Sequence, residues 1–326
     1  MMDRIIQQLK KSDRVLLASH TNPDGDAIGS LLAIGISLER LNKKIFLFNE
    51  SPIPAVYRFL PFIERIEHEI PESLEFDTAV ILDCGNLQRI GKGLSAASRT
   101  PVILNIDHHV TNNNFGTSQL IDTTACSTAE IVYRIIKKMV IPINSSIATS
   151  IYTGILTDTG SFRFSNTNQA AFAICEEMIG CGVNPYEVAQ HVYGTYSLGR
   201  IRLLNLALDS IEISANGKLS MMTITREMIN ETRTHSEDID GFINYARRIE
   251  DVKVAALIQE QKRGSEQNKS NGLSTFHVSL RSDGIFDVSA VASAFGGGGH
   301  TSAAGFTIET TLETLKALIV NLSEKI

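Results

Sequence analysis

Arg14-Val15-Leu16-Leu17-Ala18-Ser19-His20-Thr21-Asn22-Pro23-Asp24-Gly25-Asp26-Ala27-Ile28-Gly29-Ser30 decides how the first half of the chain is read. Its apolar centre, Val15 to Ala18, lacks polar alternation, so residues 14–19 read as a strand buried on both faces. A Pro/Gly loop follows, and residues 27–41 then carry a helical pattern. Outward from this unit, residues 44–48, 79–82 and 102–106 read as further strands, and 128–139 and 145–157 as helices. Short apolar strands interleaved with amphipathic helices specify an α/β domain with a parallel sheet.

The second half reads differently. Asn184-Pro185 is a helix start, and residues 198–210 form a helical stretch suited to linking two domains. Residues 211–214 and 220–224, joined by Asn216-Gly217, read as a β-hairpin. Strands follow at 253–259 and 275–280, and the polar residues 262–272 between them are expected to be a mobile loop. A helix at 288–295 leads into Gly296-Gly297-Gly298-Gly299, with a strand at 304–308 and a closing helix from Leu312. The fold expected is α/β throughout: a parallel-sheet domain over 1–195, a linker helix over 196–212, and a smaller mixed α/β domain over 213–326. The active site is expected in the cleft between the two domains. No internal repeat is visible.

Composition limits the function. Of the 326 residues, 43% are hydrophobic and 20% charged, as in a globular domain with a full core. The net charge of −6 argues against a protein built to hold long duplex nucleic acid, which favours a basic surface. A small anionic substrate stays compatible, because bound cations can supply positive charge locally. The opening MMDRIIQQLKKSDR lacks the apolar core of a signal peptide, and no run reaches the length of a membrane span. Cys84, Cys126, Cys175 and Cys181 have neither CxxC pairing nor zinc spacing, and read as buried reduced thiols of a cytoplasmic protein without membrane contact.

Four polar clusters end a strand or border a helix, and the carboxyl ends of strands in open α/β sheets are where ligands bind. They are His20 to Ser30, with Asp24 and Asp26; Asp83, before Cys84-Gly85-Asn86; Asp107-His108-His109; and Asp158-Thr159-Gly160-Ser161. Each alone has a structural reading, since a strand-end Asp commonly caps a helix and paired histidines can simply satisfy one another. Together they strain that reading. Converging Asp24, Asp26, Asp83 and Asp158 would place about four negative charges in one pocket, which is costly without cations. Imidazole with carboxylate suits a first-row divalent ion such as Mn²⁺.

These motifs resemble the DHH phosphoesterase family, named for the triplet present here as Asp107-His108-His109. Gly296-Gly297-Gly298-Gly299-His300 is similar to the glycine-rich signature of the family's DHHA1 domain, and the resemblance spans nearly the whole chain. Within the family it is nearest the stand-alone branch acting on short oligoribonucleotides and 3′-phosphoadenosine 5′-phosphate. The resemblance implies two Mn²⁺ ions, with Mg²⁺ or Co²⁺ as alternatives. It assigns His20, Asp24 and Asp83 to one ion and Asp26, Asp83, His108 and Asp158 to the other, so that Asp83 bridges. It implies that Asp107 fixes a histidine ring and that His109 faces the substrate and gives a proton to the leaving oxygen. It implies substrate contacts from Arg281, Gly297, Gly298, Gly299 and His300, with Arg163 a further candidate, and it is compatible with a homodimer. For Arg281 alone the ordinary reading is a solvated surface residue, and for the glycines a flexible connector. His68, His191, His235 and His277 are read as structural.

The activity expected is hydrolysis of short RNA to mononucleotides and of 3′-phosphoadenosine 5′-phosphate to AMP. One alternative is a cyclic or linear dinucleotide phosphodiesterase. Another is a pyrophosphatase or polyphosphatase on the same catalytic domain, disfavoured by the GGGGH run. A long-strand exonuclease lacks a strand-tracking domain and basic excess here. A non-catalytic nucleotide or RNA binder would predict a broken metal set, and this one is complete. No Walker A motif is present, and Gly91-Lys92-Gly93 does not follow a strand as a dinucleotide site requires.

Overall fold

The apolar run read first is the inner strand β1 (Arg14–Ser19), preceded by helix α1 (Met2–Lys11). The structure, a computed structural model, describes residues 1–194, 196–261 and 273–323. The chain forms two compact units, Met1–Thr195 and Tyr196–Ile326.

After β1 the first unit continues through α2 (Gly25–Glu39), β2 (Lys44–Phe48), β3 (Ile66–Glu67), β4 (Thr78–Leu82), α3 (Gly93–Arg99), β5 (Val102–Asp107) and β6 (Ser118–Ile121). It closes with α4 (Thr128–Lys138), α5 (Ser145–Asp158), α6 (Gln169–Gly180) and α7 (Pro185–Ala189). The strands pair in parallel in the order β3-β2-β1-β4-β5-β6. Both faces of β1 are covered, which is why its sequence shows no alternation. Val15 and Leu17 enter one core, with Leu31, Val132 and Ile151. Leu16 and Ala18 enter another, with Phe48, Ala79, Ile81 and Ala97. The strand order runs outward from β1 to β3, then jumps back across β1 to β4. The switch point lies between β1 and β4, at whose carboxyl ends sheets of this kind bind ligands.

Two glycines let the helices over the first core approach closely. A Cβ on Gly29 of α2 would lie 2.4 Å from the Ser150 carbonyl oxygen of α5. One on Gly154 would lie 2.7 Å from Ala129 Cβ and 3.0 Å from Asp26 Oδ1. Neither position has room for a side chain, so this packing fixes where α2 carries Asp26.

The second unit comprises α8 (Leu198–Asp209), β7 (Glu212–Ile213), β8 (Leu219–Ile224), α9 (Arg226–Thr232), α10 (Ile243–Arg247) and β9 (Val254–Glu260). It continues with β10 (Ser274–Ser282), α11 (Val288–Ala294), β11 (Gly298–His300), β12 (Ala303–Thr310) and α12 (Leu312–Ser323). Its mixed sheet has the order β11-β12-β10-β9-β8-β7, antiparallel except for the β8–β9 pair. The stretch expected as a linker helix is α8, and it is part of this unit's packing: Leu203 and Ala207 are buried against Met222, Ile224, Phe242 and Ile243. The Asn216-Gly217 turn joins β7 to β8, with Gly217 at φ +72°.

The structure departs from expectation at three points. The glycine run enters a strand that was not expected, β11, where Gly298 pairs with Gly305 and Gly299 with Ala304. Cys84, Cys126 and Cys175 are buried free thiols, but Cys181 is half-buried, because it caps α6 at the surface. Strands β3 and β6 were not expected; both are short edge segments, and β6 is half polar. The polar loop expected at 262–272 lies outside the described residues. Among the described residues no helix is long and apolar enough to cross a membrane.

Candidate active site

His20 follows β1 directly, Asp83 follows β4, and Asp107 ends β5, so these motifs emerge at the carboxyl edge of the parallel sheet beside its switch point. Asp24 is the N-cap of α2, its Oδ1 accepting from Ala27 N at 3.0 Å, and Asp26 sits in the first turn of the same helix. Asp158 is the last residue of α5. The structure brings these together, with Asp107 joined to Asp83 through His109, whose Nδ1 lies 2.7 Å from Asp107 Oδ1 and 3.5 Å from Asp83 Oδ1.

The two oxygens of Asp83 face different histidines. Oδ2 lies 3.5 Å from His20 Nε2, and Oδ1 lies 3.7 Å from His108 Nε2. Asp83 is buried and has φ +52°, a left-handed conformation that costs free energy at a residue with a side chain. Such strain in a tightly packed polar site is a common mark of function.

Each neighbour is aimed by a hydrogen bond. His20 Nδ1 lies 2.9 Å from the Thr21 carbonyl oxygen, which can only accept. Nδ1 therefore carries a proton, and Nε2 is the ring nitrogen turned toward Asp83. His108 Nε2 also lies 3.6 Å from Asp158 Oδ2, and Asp158 Oδ2 accepts from Asn166 Nδ2 at 3.1 Å. Asp26 takes Thr128 N on Oδ2 at 2.6 Å and Ala129 N on Oδ1 at 2.8 Å. Asp107 is fully buried: Oδ1 accepts from His108 N at 2.8 Å and His109 Nδ1 at 2.7 Å, and Oδ2 from Asn112 Nδ2 at 2.6 Å.

The electrostatics are those of a site short of positive charge. Burial, then the charges of Asp83 and Asp158, push Asp26 well above the usual carboxylate range. Burial, then Asp24 and Asp83, do the same to Asp158. Burial alone would raise Asp83 as well, but the hydrogen bond from His20 and the charges of the surrounding histidines hold it below that range. Burial would lower His109, yet its bond to Asp107 and the charges of Asp83 and Asp107 raise it to about 9.

This donor set fits divalent cations. His20, Asp24 and Asp83 offer ligand atoms all within 4.8 Å of one another, and so do Asp26, Asp83 and His108, with Asp83 common to both groups. Asp158 joins the second group through His108. Nitrogen and oxygen donors with an excess of carboxylate suit Mn²⁺, Mg²⁺ or Co²⁺.

The remaining expected residues stand as follows. Arg281 in β10 and His300 in β11 both pair with Ala303 of β12. Residues in one cross-strand row point to the same face, so Arg281 and His300 flank a small alanine on one side of the sheet. Burial, and next to it the charge of Arg247 against that of Asp240, hold the Arg281 guanidinium below its ordinary value. Gly297 and Gly299 pack on β12, where a Cβ would lie 2.1 Å from the Gly305 carbonyl and 2.4 Å from that of Ala303; Gly298 faces open space. Arg163 is exposed, and its Nε donates to the Gly160 carbonyl at 2.6 Å. Sequence reasoning passed over Asn112, Thr128 and Asn166. The only signal for Thr128 was its place in Ser127-Thr128-Ala129-Glu130, an N-capping pattern.

The profile of the DHH family, N-terminal domain, matches residues 14–155, and that of the DHHA1 domain matches 218–326. The bifunctional oligoribonuclease and PAP phosphatase NrnA of Thermus thermophilus is 30% identical over 90% of this chain and 84% of its own. The protein of the same name from Bacillus subtilis is 25% identical over 94% and 93%. The crystal structure of an exopolyphosphatase-related protein from Bacteroides fragilis superposes with a TM-score of 0.87 at 27% identity, covering 99% of this chain and 94% of that one. The chain therefore belongs to the DHH family, carries a DHHA1 domain, resembles the NrnA-type branch, and is a hydrolase of phosphoester bonds.

Proposed function

We propose that this hydrolase converts short oligoribonucleotides to mononucleotides and 3′-phosphoadenosine 5′-phosphate to AMP, using two Mn²⁺ ions. The observation that carries the reading is Asp83, whose two oxygens face two separate donor groups, His20 with Asp24 and His108 with Asp26. Asp158 completes the second group. The names of the NrnA relatives, which cite oligoribonuclease and PAP phosphatase activity, support the substrate class. When bound, the ions would supply an acidified water and positive charge for the phosphoryl oxygens.

The chain's own residues do the rest. His109, protonated at neutral pH while tethered to Asp107, gives its proton to the leaving oxygen. Asp107 holds that ring through Oδ1 and is itself held by Asn112. Arg281 and His300 offer donors to a substrate phosphate from one sheet face, and the backbone at Gly298 can approach a ligand where no side chain intervenes. Arg163 adds a charge in the loop after Asp158.

A substrate panel with Mn²⁺ tests the reading: RNA dimers to about 20-mers, 3′-phosphoadenosine 5′-phosphate, cyclic dinucleotides and pyrophosphate, all within the two-metal hydrolase repertoire. Preferred turnover of RNA dimers and 3′-phosphoadenosine 5′-phosphate is expected. Preference for pyrophosphate or cyclic dinucleotides would overturn it.

A further inference from the structure

The first turn of α4 touches two of the three carboxylates on the His108 side of the site, Asp26 and Asp83. Thr128 is fully buried, and its Oγ1 donates to Asp83 Oδ1 at 3.0 Å. The backbone N–H groups of Thr128 and Ala129 donate to the two oxygens of Asp26. The turn itself is pinned from several sides. Ser127 Oγ accepts from Glu130 N at 3.2 Å, and buried Glu130 Oε2 accepts from Cys126 N at 2.7 Å and Asn168 Nδ2 at 3.1 Å. Arg134 pairs with Glu130 and, at 2.7 Å, with Asp122.

We infer that the first turn of α4 is the template that sets the carboxylates of Asp26 and Asp83 for cation binding, with Thr128 the positioning residue that orients Asp83. A carboxylate shared between two donor groups must keep each oxygen turned toward its own group. Rotation about its terminal bond is soft, so the rotamer alone does not hold it there. The hydroxyl supplies the missing restraint: it takes one lone pair of Oδ1, the oxygen that lies 3.7 Å from His108 Nε2 and 3.5 Å from His109 Nδ1. It also adds a hydrogen bond to a buried anion in a strained residue. Partners of this kind around metal ligands typically alter metal affinity by about 10–100-fold. Thr128 acts through Asp83.

The inference rests on the metal centre proposed above, and calorimetric titration with Mn²⁺ alone separates the two. Wild type is expected to bind two ions. Thr128→Val keeps the shape and removes the hydroxyl, and should weaken one of the two binding steps by about tenfold or more. Thr128→Ala, should the valine protein fail to fold, is expected to show the same loss, and Thr128→Ser should restore wild-type affinity. Wild type binding no Mn²⁺ would overturn the metal centre and this inference with it. Two normal steps in the Val and Ala variants, or a Ser variant as weak as they are, would overturn the inference alone.

Discussion

His109 Nδ1 lies 2.7 Å from Asp107 Oδ1, whereas the adjacent His108 turns its Nε2 toward Asp83 and Asp158. Both rings approach Asp83 Oδ1, but only His109 is bonded to Asp107 and only His108 reaches Asp158, and the two should fail differently. His109→Ala is expected to leave Mn²⁺ affinity intact and to lower kcat by about 10²–10⁴-fold, the usual worth of a general acid. His108→Ala should weaken Mn²⁺ binding, so that excess Mn²⁺ restores part of the rate. Titration calorimetry and kinetics on both variants check this. Equal loss of metal in the two would show that their roles are wrongly divided.

Metal removal should destabilise the protein in a pH-dependent way. Burial and neighbouring carboxylates raise Asp26 and Asp158 when no ion is bound. The metal-free fold then keeps protons that the unfolded chain releases, so this share of its stability is lost as pH rises through the raised values. Mn²⁺ must displace those protons, and its binding strengthens with pH. A site held at about a hundred times its dissociation constant contributes about 2.7 kcal/mol. The gain in Tm on adding Mn²⁺ should therefore be larger near about pH 7.5 than near about pH 5.5. Equal gains would contradict the assignment of these carboxyls as ligands.

Substrate length should depend on the second unit. Arg281 and His300 can satisfy one or two phosphates, whereas a longer strand brings more phosphates to a protein of net charge −6 without matching counterion release. kcat/KM should fall steeply from RNA dimers and trimers to strands of about 20 nucleotides. Arg281→Ala should raise KM for nucleotides and leave bis-p-nitrophenyl phosphate nearly unaffected. Equal slowing of both substrates would remove Arg281 from the grip.

What could be read from the sequence followed burial. β1, β2 and the cores of β4 and β5 are apolar runs inside a parallel sheet, α4 carries clear helical spacing, and α2 and α5 are largely apolar stretches too long for strands. β3, β6 and β11 escaped because edge strands are short, and one is mostly glycine. The polar clusters of the site could be seen because each one ends a strand or borders a helix. Thr128 and Asn112 could not: threonine at a helix start and asparagine in a loop are ordinary, and only three-dimensional contact joins them to Asp83 and Asp107. The left-handed backbone of Asp83 and the tight seat of Gly154 beside Asp26 are likewise invisible in one dimension.

Asp83 offers the most direct test of the whole account. Asp83→Asn keeps the size of the side chain, tolerates the left-handed backbone, and removes one charge from an over-acidic pocket, so the protein should fold. The measurement is hydrolysis of an RNA dinucleotide and of 3′-phosphoadenosine 5′-phosphate by wild type and Asp83→Asn, with bound Mn²⁺ counted in each. The account predicts two ions and turnover in wild type, with at least one ion lost and hydrolysis abolished in the variant. Turnover within about tenfold of wild type, a change of only about 1.4 kcal/mol, would contradict Asp83 as the residue that joins the two halves of the centre.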